Sequence, residues 1–110
     1  MSVVDKTLNI ELGNIAHKIS ELVPDSQTIL SGSYARGEQA DGSDLDLCVL
    51  VPKIEGRHMD MRLKVRAVIR DATALPLDVI VYTFDEFEYS SKFPSRLPYS
   101  IKAEGVVLNA

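Results

Sequence analysis

GSYARGEQADGSDLDLCVLV, residues 32–51, decides how the rest of the chain is read. Its second half, Asp44 to Val51, is rich in β-branched and aliphatic residues and closes on Pro52, the signature of a strand. Side chains alternate across a strand. Asp44 and Asp46 therefore point one way, and Leu45 and Leu47 point the other way, into a core. At ~3.3 Å per residue the two aspartate Cα atoms lie roughly 6.6 Å apart. Like charges held that close raise each other's pKa unless something positive sits between them.

Upstream, QTIL (Gln27–Leu30) reads as a short strand running through Ser31 into a turn at Gly32-Ser33. Glycine lets a backbone or ligand approach closely, and a serine there caps the next turn or donates to an anion. Backbone N–H groups at such turns bind phosphate. The G-x-x-x-x-G-K-[ST] pattern is absent, so this is not a Walker-type loop. Arg36 offers a forked, permanent cation for a polyphosphate; it equally suits a surface ion pair with Glu38 or Asp41. Residues 34–42 are polar and read as a loop or a brief helix. Gly42-Ser43 makes a second turn, from which Ser43 can orient the Asp44 carboxylate.

Downstream, from Arg57 to about Thr73, Met61, Val65, Val68 and Ala72 recur at helical spacing, and Pro76 stops the helix. Leu77 to Tyr82, LDVIVY, is a second strong strand. Asp78 faces opposite to Leu77 and Val79, so neighbouring strands would bring it beside Asp44 and Asp46. Three carboxylates on one face suit a hard divalent cation such as Mg²⁺, which takes oxygen ligands from carboxylates and substrate phosphates. Two such ions ~3.5–4 Å apart form the clamp used in phosphoryl and nucleotidyl transfer. A D-x-D at a strand start is common by itself, and the spacing is not that of an EF-hand loop.

The remaining elements frame this motif. Leu8, Leu12, Ile15, Ile19 and Leu22 form the stripe of an amphipathic helix that ends at Pro24 and Asp25. A short helix starts at Asp85, Pro94 and Pro98 break up the segment after it, and a last helical turn or two runs to Glu104. Gly105 then leads into a short apolar piece, Val106 to Leu108, readable as a final strand. The connection between the first two strands is barely long enough for a parallel crossover, so they should pair antiparallel; the third strand fits either direction. The expected fold is α/β (α+β), a small mixed β-sheet with helices packed mainly on one face.

At 110 residues the chain fits one domain, residues 1–110, with 45% apolar and 25% charged residues. A net charge of −4 argues against a broad nucleic-acid surface. The local exception, Arg57, Arg62, Lys64, Arg66 and Arg70, reads as a solvated helix face or a phosphate- or partner-facing surface. A single cysteine, Cys48, excludes an internal disulfide and points to a buried thiol. No secretory leader or apolar run of ~18 residues is visible, so the expected location is the cytoplasm. His17 and His58 lack partners at metal spacing. Tyr34 reads as packing beside the first turn, and Phe84, Phe87, Tyr89, Phe93 and Tyr99 as core or as a partner-binding surface.

Gly32-Ser33, ten intervening residues, then Asp44-Leu45-Asp46, with Asp78 on a later strand, resembles the nucleotidyltransferase superfamily related to DNA polymerase β. The string from Gly32 to Val51 looks most like its minimal nucleotidyltransferase branch, whose members act as antitoxins beside a helical HEPN partner. The ending IKAEGVVLNA also looks like the close of such domains. The resemblance implies the polymerase β-like fold and a Mg²⁺-dependent transfer of AMP from ATP to a hydroxyl, a tyrosine of a cognate HEPN toxin. It implies that Gly32 and Ser33 hold the β and γ phosphates, with Arg36 in support. Asp44, Asp46 and Asp78 would be the catalytic, metal-binding carboxylates, and two Mg²⁺ ions would be expected. The alternatives are transfer to a small-molecule hydroxyl, or an antitoxin that acts by binding alone.

Overall fold

The structure, a computed structural model, describes residues 6–109. The elements are α1 (Lys6–Leu22), β1 (Gln27–Ser31), α2 (Gly32–Arg36), β2 (Leu45–Val51) and α3 (His58–Ile69), then β3 (Leu77–Thr83), α4 (Phe84–Ser90), α5 (Leu97–Glu104) and β4 (Val106–Val107). The strands form one mixed sheet in the order β3-β2-β1-β4. β1 pairs antiparallel with β2, as the short connection requires, and antiparallel with β4. β2 and β3 run parallel, a direction that the intervening helix α3 makes possible.

Period-2 alternation divides the sheet into two faces. Leu30, Leu45, Leu47, Val49, Val51, Val79 and Val81 pack into the larger core. α1 covers that face with Leu8, Leu12, Ile15 and Ile19, and α3 with Val65 and Ile69. Full burial of a side chain such as Ile15 or Ile19 stabilises the fold by about 1.5–3 kcal/mol. The stripe of α1 closes on Val23 rather than Leu22. Val23 lies four residues after Ile19 and packs against the core, whereas Leu22 turns outward.

The second face is split. At one end Ile29, Cys48 and Leu50 form a smaller core with Phe87 of α4 and Ile101 of α5. The two long helices thus cover one face, and two short ones cover part of the other. α4 begins at a capping box: Thr83 Oγ1 accepts from the Glu86 N–H, and Glu86 Oε1 accepts from the Thr83 N–H. Burial pushes the Cys48 thiol up to about 12, so it stays protonated and unreactive. Of the five C-terminal aromatics only Phe87 is buried; Phe84, Tyr89, Phe93 and Tyr99 stay exposed, with Arg96 4.4 Å from the Phe93 ring centroid.

The C-terminal strand is pinned by one side chain. Asn109 Oδ1 accepts from the Thr28 N–H at 2.8 Å, and its Nδ2 donates to Ser20 Oγ and to the Ser26 carbonyl. Asn109→Ala leaves a strand N–H without its partner. It should lower stability by about 1–3 kcal/mol in chemical denaturation, with an unchanged denaturant slope.

Candidate active site

The uncovered end of the second face is where β1 finishes and β2 and β3 begin. Ser31 pairs in register with Asp46, and Asp46 with Asp78. Three polar side chains therefore stand in a row across three adjacent strands. The parallel direction of β2 and β3 produces this row, because it puts the starts of both strands at the same end of the sheet. Asp44 lies just before β2 and is exposed. The Leu45 N–H donates to the Pro76 carbonyl at 2.8 Å and ties the start of β2 to the loop entering β3.

Gly32 comes directly after Ser31 with a φ of +68°, in the left-handed region that favours glycine. A Cβ at this position would collide with the Asp46 carboxylate. The glycine thus serves two needs at once: the turn into α2, and room for a charged side chain against the backbone. Ser33 sits half-buried in the first turn of α2, and Arg36 in its last. The helix ends at Gly37, also left-handed at φ 71°. Ser43 Oγ accepts from the Ala40 N–H at 2.9 Å, so its hydroxyl closes the turn that precedes Asp44.

A cleft of about 230 Å³ opens here, lined on one side by Ser31, Gly32, Arg36, Asp46, Asp78 and Ile80, whereas Ser33, Ser43 and Asp44 lie outside its lining. The opposite wall is α5, with Leu97, Ser100, Ile101 and Glu104. Motif spacing did not reveal that wall. Its only trace in the sequence is the spacing of Leu97, Ile101 and Glu104 on one helical face. Arg36 forms the expected surface ion pair with Glu38. Its Nε–H donates to Glu38 Oε1 at 2.8 Å, yet it also lines the cleft. His58 is a structural residue, with Nε2 2.9 Å from the capping carboxylate of Glu86, and His17 is exposed beside Glu21.

The electrostatics of the row are unbalanced. Burial, and then the carboxylates of Asp78 and Asp44, push the Asp46 carboxyl above the usual carboxylate range; Arg36 pulls it back only in part. A cation beside Asp46 would relieve this, and carboxylate oxygens are the donors a hard divalent ion takes. Among the described residues no three acidic, histidine or thiol side chains converge tightly enough to enclose a metal by themselves. Mg²⁺ does not need such a cage, since it is usually bound by one or two carboxylates with substrate phosphates completing its shell. The donor set fits that mode.

The mixed sheet thus carries an acidic row at its strand ends, a glycine-serine turn beside the row and a helix-walled cleft above it. The chain belongs to the nucleotidyltransferase domain family, which matches residues 12–107. Its fold is similar to a chain of a toxin–antitoxin assembly crystallised with AMP-PNP, with a TM-score of 0.58 and 19% identity over 89% of this chain and 73% of that one. It is also similar to a putative nucleotidyltransferase from Sulfolobus solfataricus, with a TM-score of 0.57 and 17% identity over 97% of this chain and 89% of that one. No curated protein sequence matches the chain. Among the described residues no helix is long and apolar enough to cross a membrane.

Proposed function

We propose that this nucleotidyltransferase moves AMP from ATP to a hydroxyl of a protein partner, a tyrosine of a cognate HEPN toxin, and so acts as an antitoxin in the cytoplasm. The observation that carries the reading is the Ser31–Asp46–Asp78 row, with Gly32 cleared of side-chain atoms where Asp46 stands. The fold shared with a chain of a toxin–antitoxin assembly that contains AMP-PNP supports the biological setting.

The roles are those that the family resemblance implies. Gly32 and Ser33 offer turn N–H groups and a hydroxyl to the β and γ phosphates, and Arg36 adds a fixed positive charge at the cleft. Asp44, Asp46 and Asp78 would hold Mg²⁺, which would neutralise the triphosphate and the charge that develops during transfer. Asp78 is exposed, so an incoming hydroxyl can reach it, and its carboxylate accepts the hydroxyl proton. The hydroxyl oxygen bonds to the α-phosphorus, the bond from that phosphorus to the bridging oxygen breaks, and pyrophosphate leaves. The residues contribute chiefly by holding the groups in line and matching their charge. Ser43 acts at one remove, through the turn that places Asp44.

The test uses the chain together with a cognate HEPN partner, ATP and Mg²⁺. Intact-mass spectrometry should show the partner gaining one AMP or a multiple of it. A chain carrying Asp44→Asn and Asp46→Asn should give no gain and should lose its neutralising effect. Undiminished neutralisation by that variant would sink the enzymatic reading and leave binding as the mode of action.

A further inference from the structure

The C-terminal segment supplies Ile101 and Glu104 to the far wall of the cleft. Glu104 is the last residue of α5, and Gly105 comes next. A Cβ on Gly105 would lie 2.5 Å from the Ile101 carbonyl oxygen and 2.5 Å from Ile29 Cγ2. Real Cβ atoms do not come that close, so the end of α5 fits against β1 only with glycine at this position. The fit fixes where Glu104 starts from. Its carboxylate reaches across to α2, placing Oε2 3.9 Å from Arg36 Nη1. Glu38 holds the same guanidinium from its other side, at Nε. Arg36, the positive side chain that lines the cleft, is therefore shared between two carboxylates before any ligand arrives.

We propose that Glu104 is a positioning residue that holds Arg36 across the cleft and weakens nucleotide binding, because an incoming triphosphate must take the guanidinium from it. The proposal rests on the cleft being a nucleotide site and adds a residue that sets affinity there. The Glu-Gly pair works as a unit: the glycine lets the helix end close to β1, and the glutamate uses that anchorage to reach Arg36. Both partners are partly exposed, so the effect is modest and screened by salt.

The experiment measures AMP-PNP binding in the presence of Mg²⁺ by calorimetry for the wild type, Glu104→Gln, Arg36→Gln and the double variant. Glu104→Gln should tighten binding by about two- to fivefold, a gain that shrinks at high salt. In the Arg36→Gln background the same substitution should give no gain, because the residue it acts through has gone. An equal gain in both backgrounds would mean that Glu104 only repels the ligand directly, and would overturn the proposal; so would no gain at all. The Arg36 Nε–Hε resonance of the nucleotide-free protein separates this idea from the reading it rests on. Glu104→Gln should shift it. Absence of AMP-PNP binding by the wild type, with the shift present, would refute the nucleotide reading and leave the Arg36–Glu104 contact standing. An unmoved resonance would overturn the contact itself.

Discussion

Replacing Asp46 with asparagine should lower nucleotidyl transfer by about 10²–10³-fold, the range seen when one preorganised electrostatic group is lost from a reacting centre. The same change should raise the melting temperature at neutral pH. Asp46 sits between Asp78 and Asp44, half-buried, and burial together with those neighbours raises its carboxyl pKa. A raised carboxyl pKa means that the folded state holds its proton more tightly than the unfolded chain does. Ionisation of Asp46 therefore opposes folding. That penalty is fully present above the folded pKa and disappears below the unfolded one. The asparagine variant should thus be more stable than the wild type at neutral pH and lose that advantage in acid. Melting curves across pH and a transfer assay check the two halves separately. Loss of both activity and stability at neutral pH would mean that the carboxylate is a structural bond rather than a strained functional group.

Gly32→Ala should be nearly as damaging to activity, by a different route. The methyl group would occupy the space of the Asp46 carboxylate, and alanine at a φ of +68° carries a backbone penalty of about 1–2 kcal/mol. The carboxylate, the α2 turn or both must move. A displacement of about 1 Å at a reacting centre costs on the order of 10²-fold in rate. The variant should therefore fold, melt at a lower temperature and transfer AMP about 100-fold more slowly, whereas the Asp46 variant melts higher. Opposite stability effects with a shared loss of activity would be a signature of the Gly32–Asp46 contact that neither substitution gives alone.

Much of this arrangement is legible in the sequence. The stripe of α1, the alternation of β2 and the strand character of residues 77–82 are local patterns, and local patterns survive folding when the core demands them. Asp44, Asp46 and Asp78 can be placed on one face from period 2 alone. The register that sets Asp46 directly beside Asp78 cannot, because either direction is open for β3 and only the packed helix α3 decides it. The segment from Phe84 to Glu104 is the least readable. Its prolines break any long period, and its two short helices take their places from contacts with Ile29, Cys48 and Leu50, far away in sequence. Glu104 escapes a motif reading for that reason: nothing next to it in the chain says that it faces Arg36. Ser43 reads as a partner for Asp44, and in the structure its hydroxyl oxygen also accepts from the Ala40 N–H, a turn contact the motif does not announce.

If the acidic row serves attack at the α-phosphorus, the two ends of ATP must part company during the reaction. ATP labelled at the α-phosphate tests this most directly, compared with ATP labelled at the γ-phosphate, each incubated with the chain, its HEPN partner and Mg²⁺. The α label should become attached to the partner protein, and the γ label should leave in pyrophosphate. Transfer of the γ label, or of neither label while ATP is demonstrably bound, would contradict attack at the α-phosphorus.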